Sequence, residues 1–342
     1  MTSHVVFGAG LIGCYLGGVM QLKGLKVQLV CRPAVQAKLL GGLILSDYQD
    51  HRTQLATPAF IDSQTLTAHG PGQLACDYVW LTVKCTGVEQ AMLDIRSLIA
   101  PHTVILCCQN GLGSQHIVQQ AYPQNRVLGV MVPFNVVELT HGQLHRGSQG
   151  DLCIESAPGK GITDTLVNSL KSDLLPVSQT QDMSSLLWAK LQLNLGNSIN
   201  ALADIPVKAM LEQRDYRRVI AALMDELLAV TDKLNITLPK VTSLKAPMVP
   251  VVLRLPDFLF KLVANRMLAI DPQVRTSMWW DVSQGKATEI AYLNGAVVNY
   301  GERLGIPCPA NKKIVSLIEG LAGHQQENYS GAQLLALITK SD

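Results

Sequence analysis

The sequence lacks several features that would assign it to a specialised class of protein. Its 342 residues contain no fixed-period repeat and no low-complexity tract. Charge of one sign is not in excess, because Lys plus Arg number 28 and Asp plus Glu number 26. This balance argues against binding of nucleic acid or of a membrane surface through a strongly basic face. With 48% apolar and 16% charged residues, the length suits about two domains, each with its own core.

Cysteine is present, but without the spacing of a disulfide framework or of a zinc site. None of the eight cysteines forms a Cys-x-x-Cys pair. His141 and His145 come nearest to a metal pair, and no carboxylate completes a site around them. Several cysteines lie in apolar runs, where Cys behaves as a small hydrophobic residue. We therefore expect no metal, no disulfides and a reducing, cytoplasmic location.

Long uncharged hydrophobic runs are also missing. The stretch from Val5 to Met20 is apolar, and Leu11-Ile12-Gly13-Cys14 superficially matches a lipoprotein cleavage box. The residues before this stretch carry no Lys or Arg, so the charged start of a signal peptide is absent. The nearest candidate for a membrane span, residues 249–270, is interrupted by four charged residues. We expect neither a leader nor a membrane span.

The first half of the sequence alternates short β-rich runs with helical stretches, which is typical of a parallel sheet covered by helices. Residues 11–22 predict the first helix, and the predicted strands are residues 4–7, 26–30, 78–83 and 103–106. Between residues 127 and 154 the pattern changes to strand, turn, strand. This change predicts antiparallel additions at one edge of the sheet.

From about Asp182 onward, helical periodicity dominates and clear strands are absent. A shift of this kind marks a domain boundary. The sequence therefore predicts an α/β domain over residues 1–178 and an all-helical domain over residues 179–342.

A glycine fingerprint follows the first predicted strand directly and opens the first predicted helix. Gly8 permits a tight turn, Gly10 lets the backbone approach a pyrophosphate, and Gly13 lets helix and strand pack closely. The N–H groups and positive dipole end of the helix then favour phosphate. We expect dinucleotide binding here, with a merely glycine-rich turn as the alternative. The expected cofactor-binding residues are Gly8, Ala9, Gly10, Leu11, Ile12 and Gly13.

The residues after the second predicted strand bear on the choice of cofactor. An NAD site usually places Asp or Glu about 20 residues beyond the glycines, where the acid holds the ribose 2′-OH. Here the chain reads Val30-Cys31-Arg32-Pro33, with no acid. The guanidinium of Arg32 can instead pair with a 2′-phosphate, although a solvated surface Arg would give the same sequence. We expect NADPH.

Two loops follow later strands of the same half. One ends in Lys84, and the other begins with Gln109-Asn110-Gly111. The carboxyl ends of strands face the ligand crevice in a doubly wound sheet. We therefore expect Lys84 and Asn110 near the nicotinamide or the substrate. A solvated strand end and a plain turn are the alternative interpretations of these two residues.

A helix predicted in the second half carries a polar stripe. Residues 188–197 are otherwise apolar, yet Lys190, Asn194 and Asn197 stand at i, i+4 and i+7 and share one face. Buried polar groups require partners, and a bound polar ligand would supply one. An amphipathic helix whose wet face happens to contain Lys is the alternative.

A last group of residues reads Arg275-Thr276-Ser277-Met278-Trp279-Trp280-Asp281, followed by Thr288-Glu289-Ile290. Thr288 predicts a helix N-cap, with the helix running to about Arg303 and Glu289 in its first turn. An acid in a first turn is favourable for the helix dipole and needs no function. Taken alone, Glu289 is therefore interpreted as structural.

Together these residues resemble the ketopantoate reductase family over nearly the whole chain. The resemblance implies an α/β fold with an N-terminal Rossmann-type doubly wound sheet and an all-helical C-terminal domain like that of 6-phosphogluconate dehydrogenase. It also implies NADPH-dependent reduction of 2-dehydropantoate to (R)-pantoate, on the route to pantothenate and coenzyme A, by a monomer or homodimer. The residues that carry it, in order, are the glycine fingerprint, Arg32, Lys84, Asn110-Gly111, Lys190 with Asn194, Ser277-Met278, Asp281 and Glu289.

The resemblance implies roles for individual residues as well. Lys190 would be the general acid, and Glu289 would assist Lys190 and the substrate and contact the cofactor. Lys84 would lie between cofactor and substrate. The residues that would hold the small 2-oxo acid are Asn110, which also contacts the cofactor, Asn194 and Ser277.

One departure from the family makes the substrate less certain than the reaction type. The family helix commonly reads Lys-x-x-x-Asn-x-x-x-Asn-Pro, whereas here the eighth residue after Lys190 is Ser198 and no Pro follows. We expect Asn197, Ser198 or Asn200 to supply the missing substrate contact.

Two other functions are compatible with the sequence. The first is reduction of another small 2-oxo or hydroxy acid on the same plan. The related β-hydroxyacid dehydrogenases also pair Lys with Asn four residues later, but usually add a Gly-x-Ser-Gly-Gly loop that is absent here. The second is a non-catalytic NADPH-binding sensor, which would not require Lys190, Ser277 and Glu289 together.

Overall fold

The structure is a computed structural model that describes residues 2–157, 159, 161–264, 268, 271–321 and 328–339. The chain divides into two compact units, Met1–Met183 and Ser184–Asp342. We call these the N-terminal unit and the C-terminal unit. Among the described residues, no helix combines the length and the hydropathy that crossing a bilayer requires; residues 265–267 and 269–270 of the candidate span lie outside the described part.

Twelve strands are found in the described part of the N-terminal unit. They are β1 (Ser3–Phe7), β2 (Lys26–Cys31), β3 (Leu43–Asp47), β4 (Arg52–Leu55), β5 (Ala59–Asp62), β6 (Tyr78–Leu81), β7 (Val104–Cys107), β8 (Arg126–Met131), β9 (Val136–Thr140), β10 (Gln143–Arg146), β11 (Leu152–Glu155) and β12 (Val177–Thr180). The strands predicted from the sequence are confirmed as β1, β2, β6 and β7, with ends that shift by one or two residues.

The larger sheet has eight strands in the order β5-β2-β1-β6-β7-β8-β11-β12. The first six are parallel. β11 runs antiparallel to β8, and β12 runs parallel to β11. The chain moves outward from β1 through β2 to β5 and returns on the other side of β1 at β6. This order confirms the Rossmann-type doubly wound fold, and ligands of such sheets bind where the direction reverses, at the carboxyl ends of β1 and β6.

Helices cover both faces of this sheet. They are α1 (Leu11–Leu22), α2 (Pro33–Leu39), α3 (Ser63–Ala68), α4 (Val88–Asp94), α5 (Ser114–Ala121) and α6 (Ile162–Leu170), with short 3-10 helices at Cys85–Gly87 and Arg96–Leu98. In β6, Tyr78 and Trp80 enter one core, and Val79 and Leu81 enter the other. A strand buried on both faces reads as a continuous apolar run, which is why this strand could be predicted.

The second sheet corrects one prediction. Its order is β4-β3-β10-β9. Only β11 adds an antiparallel strand to β8; the β9–β10 hairpin does not extend the main sheet, because β10 pairs in parallel with β3. Helix α1 packs between the two sheets. A Cβ atom at Gly17 would lie 2.4 Å from the side chain of Leu29 in β2, and one at Gly18 would lie 3.0 Å from that of Leu45 in β3.

A buried ion pair joins β3 to β10. Arg146 Nη2 lies 3.2 Å from Asp47 Oδ2, and neither side chain is exposed to solvent. Asp47 also accepts hydrogen bonds from the backbone N–H groups of Gln49 and His51 and from the His51 ring. Burial alone would raise the pKa of Asp47, but these hydrogen bonds and the one from Arg146 outweigh it and lower that pKa below its usual value.

In the C-terminal unit, the described residues form helices only. They are α7 (Met183–Asn194), α8 (Gly196–Ala203), α9 (Val207–Glu212), α10 (Arg214–Lys233), α11 (Met248–Leu253), α12 (Asp257–Val263), α13 (Ser277–Ser283), α14 (Asn294–Leu304), α15 (Pro309–Gly320) and α16 (Gly331–Thr339), with a 3-10 helix at Ile290–Tyr292. α10 is the longest, and α11, α14, α15 and α16 pack against it.

The predicted helix from Thr288 to about Arg303 is wrong at its start. Leu293 has non-helical dihedral angles, so α14 begins only at Asn294. The buried Asn294 side chain donates a 3.0 Å hydrogen bond to Asn311 in α15. This pairing, which no local pattern signals, holds the first residue of α14 against α15. Glu289 therefore precedes a separate 3-10 turn.

We expect Asp47→Asn to destabilise the N-terminal unit by about 3–5 kcal/mol, because it leaves the Arg146 guanidinium buried without a counter-charge. Urea unfolding at pH 7 measures the effect. The control is Lys38→Met, which removes an exposed pair with Glu138 and should cost less than about 1 kcal/mol. Equal effects of the two variants would contradict this account.

The same pair predicts a pH dependence. Because the folded-state pKa of Asp47 is lowered from 3.8, its contribution is complete above that value and is lost as the pH falls through the folded pKa. The stability difference between wild type and Asp47→Asn should therefore shrink below about pH 4. A difference that stays constant down to pH 2 would count against the lowered pKa.

Candidate functional site

The turn between β1 and α1 requires glycine at two positions for steric reasons. Gly8 has φ of +99°, and a Cβ atom there would lie 2.6 Å from the backbone nitrogen of Val83. At Gly13 a Cβ atom would lie 2.5 Å from Thr82 Oγ1 and 2.6 Å from the carbonyl oxygen of Gly8. The Thr82 hydroxyl donates a 2.7 Å hydrogen bond to that same carbonyl. The fingerprint therefore packs directly on the carboxyl end of β6.

The start of α1 is open where a phosphate group would approach. Gly10 is the N-cap, and no side chain caps the helix. A Cβ atom at Gly10 would meet only the Gly8 carbonyl oxygen, at 4.0 Å, and the neighbouring Leu11 is 43% exposed. Exposed N–H groups at an uncapped helix start form an anion-binding site. These residues fit the pyrophosphate of a dinucleotide.

The first turn of α1 also contains a thiol, Cys14, which donates a hydrogen bond to the Ala9 carbonyl oxygen. Burial, with a smaller contribution from Cys31, raises the pKa of Cys14 to about 12. The thiol is therefore protonated at neutral pH and places no negative charge beside the phosphate position. All eight cysteines are buried.

Arg32 is exposed at the carboxyl end of β2, where it is the N-cap residue of α2. Within the described part of the chain no carboxylate pairs with its guanidinium. Asp62, which ends the neighbouring strand β5 opposite Cys31, instead caps α3 by accepting from the N–H of Gln64. The end of β2 therefore presents a positive charge, which suits a 2′-phosphate better than a ribose hydroxyl.

The structure brings the loops of Lys84 and Asn110 together. The Cys85 thiol, next to Lys84, donates to the Asn110 carbonyl oxygen at 2.8 Å. The Gln109 amide donates to the carbonyl oxygens of Leu81 at 2.8 Å and Val83 at 3.1 Å. Lys84 is exposed and Asn110 is half-buried. Both therefore lie at the carboxyl edge of the sheet, beside the glycine turn that Thr82 contacts.

Gln109 has a structural role that was not predicted from the sequence. Its side chain ties the ends of β6 and β7, and its buried Oε1 atom has no hydrogen-bond partner among the described residues. A polar residue that directly follows a buried strand and precedes Asn110 was the available signal. Thr82, which also follows a strand, was missed in the same way.

In the C-terminal unit, the polar stripe forms the less buried face of α7 and α8. Lys190, Asn194 and Asn197 are each half-buried. The opposite face is anchored in the core: Trp188 packs edge-on against Tyr300 at 5.1 Å, and the Gln192 amide donates to a backbone carbonyl 2.9 Å away. The stripe crosses a one-residue interruption between the helices, which retains helical dihedral angles.

The three candidates for the missing family contact lie in different environments. Ser198 is fully buried, and its hydroxyl donates to the Leu195 carbonyl oxygen at 2.9 Å. Asn200 is fully buried and uses both ends of its amide, donating to the Ile205 carbonyl oxygen and accepting from Thr276. The half-buried Asn197 side chain makes no hydrogen bond within the described part.

Ser277 and Glu289 complete the set of predicted residues. Ser277 is exposed and begins α13, whose N-cap is Thr276. The Thr276 hydroxyl lies 3.3 Å from the Asn197 carbonyl oxygen, so Ser277 lies next to the polar stripe. Glu289 is 8% exposed. Thr276, which makes this connection, belongs to the group noted in the sequence from Arg275 to Asp281 but was not predicted as a site residue; Ser/Thr before a helix is a usual N-cap signal.

The two units thus carry complementary chemistry. The N-terminal unit offers helix N–H groups, an exposed guanidinium and the loops of Lys84 and Asn110. The C-terminal unit offers an ammonium group, two carboxamides and a hydroxyl, which are donors suited to a carbonyl oxygen and a carboxylate.

Comparison with known proteins finds two family models, one matching each unit. The family model described as "Ketopantoate reductase PanE/ApbA" matches residues 4–159, and "Ketopantoate reductase PanE/ApbA C terminal" matches residues 182–322. A 2-dehydropantoate 2-reductase of Archaeoglobus fulgidus is 22% identical over 319 residues, covering 92% of this chain and 96% of that protein.

Solved structures show the same fold. A PanE/ApbA family ketopantoate reductase from Ralstonia eutropha JMP134 has a TM-score of 0.76 at 27% identity, covering 93% of this chain and 98% of that one. D-mandelate dehydrogenase in its complex with NADH and anilino(oxo)acetate also has a TM-score of 0.76, with the same coverage, at 19% identity. Because the two family models together span both units, the chain belongs to the PanE/ApbA ketopantoate reductase family of oxidoreductases.

Proposed function

We propose that this protein catalyses 2-dehydropantoate + NADPH + H⁺ → (R)-pantoate + NADP⁺. The observation that carries the proposal is the half-buried stripe of Lys190, Asn194 and Asn197, in a chain whose other unit has an open dinucleotide turn. A stripe that only faced solvent would be fully exposed, whereas all three side chains are half-buried and the stripe adjoins Ser277.

The cofactor of the family is NADPH, and the residues present fit it. The uncapped start of α1 would hold the pyrophosphate, and Arg32 the 2′-phosphate. Lys84 and Asn110 would contact the nicotinamide end. When bound, the reduced nicotinamide supplies the hydride that attacks the C2 ketone.

Lys190 is the proposed general acid. Negative charge grows on the carbonyl oxygen during reduction, and an ammonium within hydrogen-bond reach both stabilises that charge and donates the proton. The buried Glu289 would assist by orienting Lys190 and the substrate. Both residues belong to the C-terminal unit, on α7 and directly before the 3-10 helix.

Substrate binding is assigned to the remaining polar groups. Asn110, Asn194 and Ser277 would hold the carboxylate and hydroxyl of the oxo acid. Of the three candidates for the additional contact, we propose Asn197, since the polar atoms of Ser198 and Asn200 are already paired inside the unit.

A second candidate is reduction of a different small 2-oxo acid. Ser198, where the family commonly has Asn, removes a carboxamide from the helix. The structural similarity to D-mandelate dehydrogenase shows that this fold is also found in enzymes of other names. The loss of a buried substrate donor is the kind of change that alters specificity strongly.

A substrate panel distinguishes the two candidates. We expect NADPH oxidation, followed at the reduced-nicotinamide absorbance band, to be most efficient with ketopantoate, judged by kcat/KM against pyruvate and phenylglyoxylate. A tenfold preference for another oxo acid would support the second candidate. Binding of NADPH without its oxidation by any oxo acid would support the non-catalytic sensor.

We expect Arg32→Ala to raise the KM for NADPH roughly 10- to 100-fold, the loss typical of a hydrogen bond to a charged group, and to leave the KM for NADH nearly unchanged. Steady-state kinetics with both cofactors provide the measurement. Arg52→Ala, at an exposed Arg of β4, is the matched control. An equal loss for both cofactors would show that Arg32 does not bind the 2′-phosphate.

We expect Lys190→Ala to lower kcat by about 10²- to 10⁴-fold, the usual contribution of a general acid. The affinity for NADPH, measured by fluorescence titration, should stay within a few-fold of wild type. Lys233→Ala, at an exposed lysine ending α10, is the control. Normal turnover in Lys190→Ala would rule out the acid role.

A further inference from the structure

A hydrogen-bonded cluster joins the end of α8 to the start of α13, within the C-terminal unit. We call it the α8–α13 clamp, and it consists of Asn200, Asp204, Arg275, Thr276 and Trp279. None of these residues is exposed as fully as Ser277, which lies in the middle of the cluster.

The first half of the clamp is made by Asn200 and Thr276. Asn200 Oδ1 accepts from the Thr276 backbone N–H at 3.0 Å and from the Thr276 hydroxyl at 3.1 Å. The same hydroxyl lies 3.3 Å from the Asn197 carbonyl oxygen and accepts from the Trp279 N–H as the N-cap of α13. One hydroxyl group thus contacts both the polar stripe and the helix that begins with Ser277.

The second half is made by Asp204, Arg275 and Trp279. Asp204 ends α8 in the left-handed conformation, with φ of +50°. Its Oδ1 atom accepts from Arg275 Nη1 at 2.8 Å and from Trp279 Nε1 at 2.6 Å. The Arg275 guanidinium lies 4.2 Å from the centre of the Trp279 ring. The charge of Arg275 is therefore balanced by Asp204 and stacked on an aromatic face.

Within residues 275–279, some side chains attach the chain to α8 and one remains available to a ligand. Residues 275, 276 and 279 turn towards α8, while Ser277 between them remains exposed. The Asn200 side chain is fully buried, with its amide oxygen accepting from Thr276 and its amide nitrogen donating to Ile205, so it presents no accessible atom to a substrate.

We propose that Asn200 and Thr276 are positioning residues, which hold the Ser277 hydroxyl at a fixed place relative to the Asn194–Asn197 stripe so that both can bind one oxo acid. The inference rests on the proposed function, because it assigns the clamp to the same substrate. Asn200, a candidate substrate contact in the sequence, is thereby proposed to position Ser277 and not to touch the substrate. Preorganised donors need no reordering when substrate binds, so the clamp lowers KM.

The test compares two substitutions at one position. Thr276→Val is nearly isosteric and removes the hydroxyl; Thr276→Ser keeps it. We expect Thr276→Val to raise the KM for ketopantoate about five- to twentyfold, which corresponds to about 1–1.8 kcal/mol of lost preorganisation. The kcat should change less than KM, the Kd for NADPH should stay within twofold, and Thr276→Ser should behave like wild type.

A matched control is Thr231→Val, at a buried Thr of α10 whose hydroxyl bonds only within its own helix. It should leave KM unchanged. A merely structural role predicts the opposite pattern for Thr276→Val: a lower melting temperature and fewer active molecules, with KM unchanged. That pattern, or a failure of Thr276→Ser to restore KM, would overturn the proposal.

A double-mutant cycle with Asn200→Ala tests whether the two residues act as one unit. We expect the double variant to have the KM of the more impaired single variant. Multiplying effects would mean that Asn200 contacts substrate independently, which would overturn its positioning role. If Asn200→Ala does not fold, the comparison of Thr276→Val with Thr276→Ser still decides whether the Thr276 hydroxyl has a positioning role.

The activity of the wild-type protein distinguishes a failure of the proposed function from a failure of the positioning role. A wild type that reduces no 2-oxo acid overturns the proposed function and the clamp's role with it. A wild type that reduces ketopantoate, with a KM insensitive to Thr276→Val, overturns the positioning role alone.

Discussion

The close approach of α1 to the ends of β1 and β6 is the constraint on which the N-terminal unit depends. Side chains at Gly8 and Gly13 would collide with backbone and side-chain atoms of Thr82 and Val83 at 2.5–2.6 Å. Because the contact leaves no room for a Cβ atom, the helix start and the loop leading to Lys84 are fixed by the same packing. The open start of α1 and the loop that carries Lys84 therefore have one steric origin, and α1 has no side-chain cap.

The C-terminal unit positions its polar residues by a different principle. On α7 and α8 the apolar face and Gln192 are anchored in the core, and this leaves the opposite stripe half-buried rather than fully solvated. A half-buried ammonium and carboxamides interact more strongly with a charged ligand than they would in water, since the local dielectric is lower. The clamp between α8 and α13 adds Ser277 to this face through backbone carbonyl and hydroxyl contacts. The core-facing residues and the clamp therefore fix the geometry of this face, and the stripe and Ser277 provide its hydrogen-bond donors.

What the sequence could predict follows from the range of the interactions involved. The glycine turn, α1 over Leu11–Leu22 and the polar stripe depend on local steric rules and helical periodicity, and they were visible in the sequence. The second sheet was not, because β3 pairs with β10 through residues such as Asp47 and Arg146, 99 positions apart. Likewise, whether Asn200 faced a ligand or the core depended on Thr276, 76 residues later. Residue type at such positions indicates hydrogen-bonding capacity, and only the tertiary structure indicates which partner uses it.

The parallel pairing of β3 with β10 has a consequence for biosynthesis. Helix α1 is covered on its second side by Leu43 and Leu45, which belong to a sheet that is completed only by residues 143–146. At translation rates of about 5–20 residues per second, the nascent chain waits on the order of 5–20 seconds between synthesis of these two strands. During that interval β3 has one open edge, and Asp47 lacks its arginine partner. An open strand edge is a template for pairing with other chains, so the emerging β3–β4 hairpin is exposed to such pairing until residues 143–146 have been synthesised.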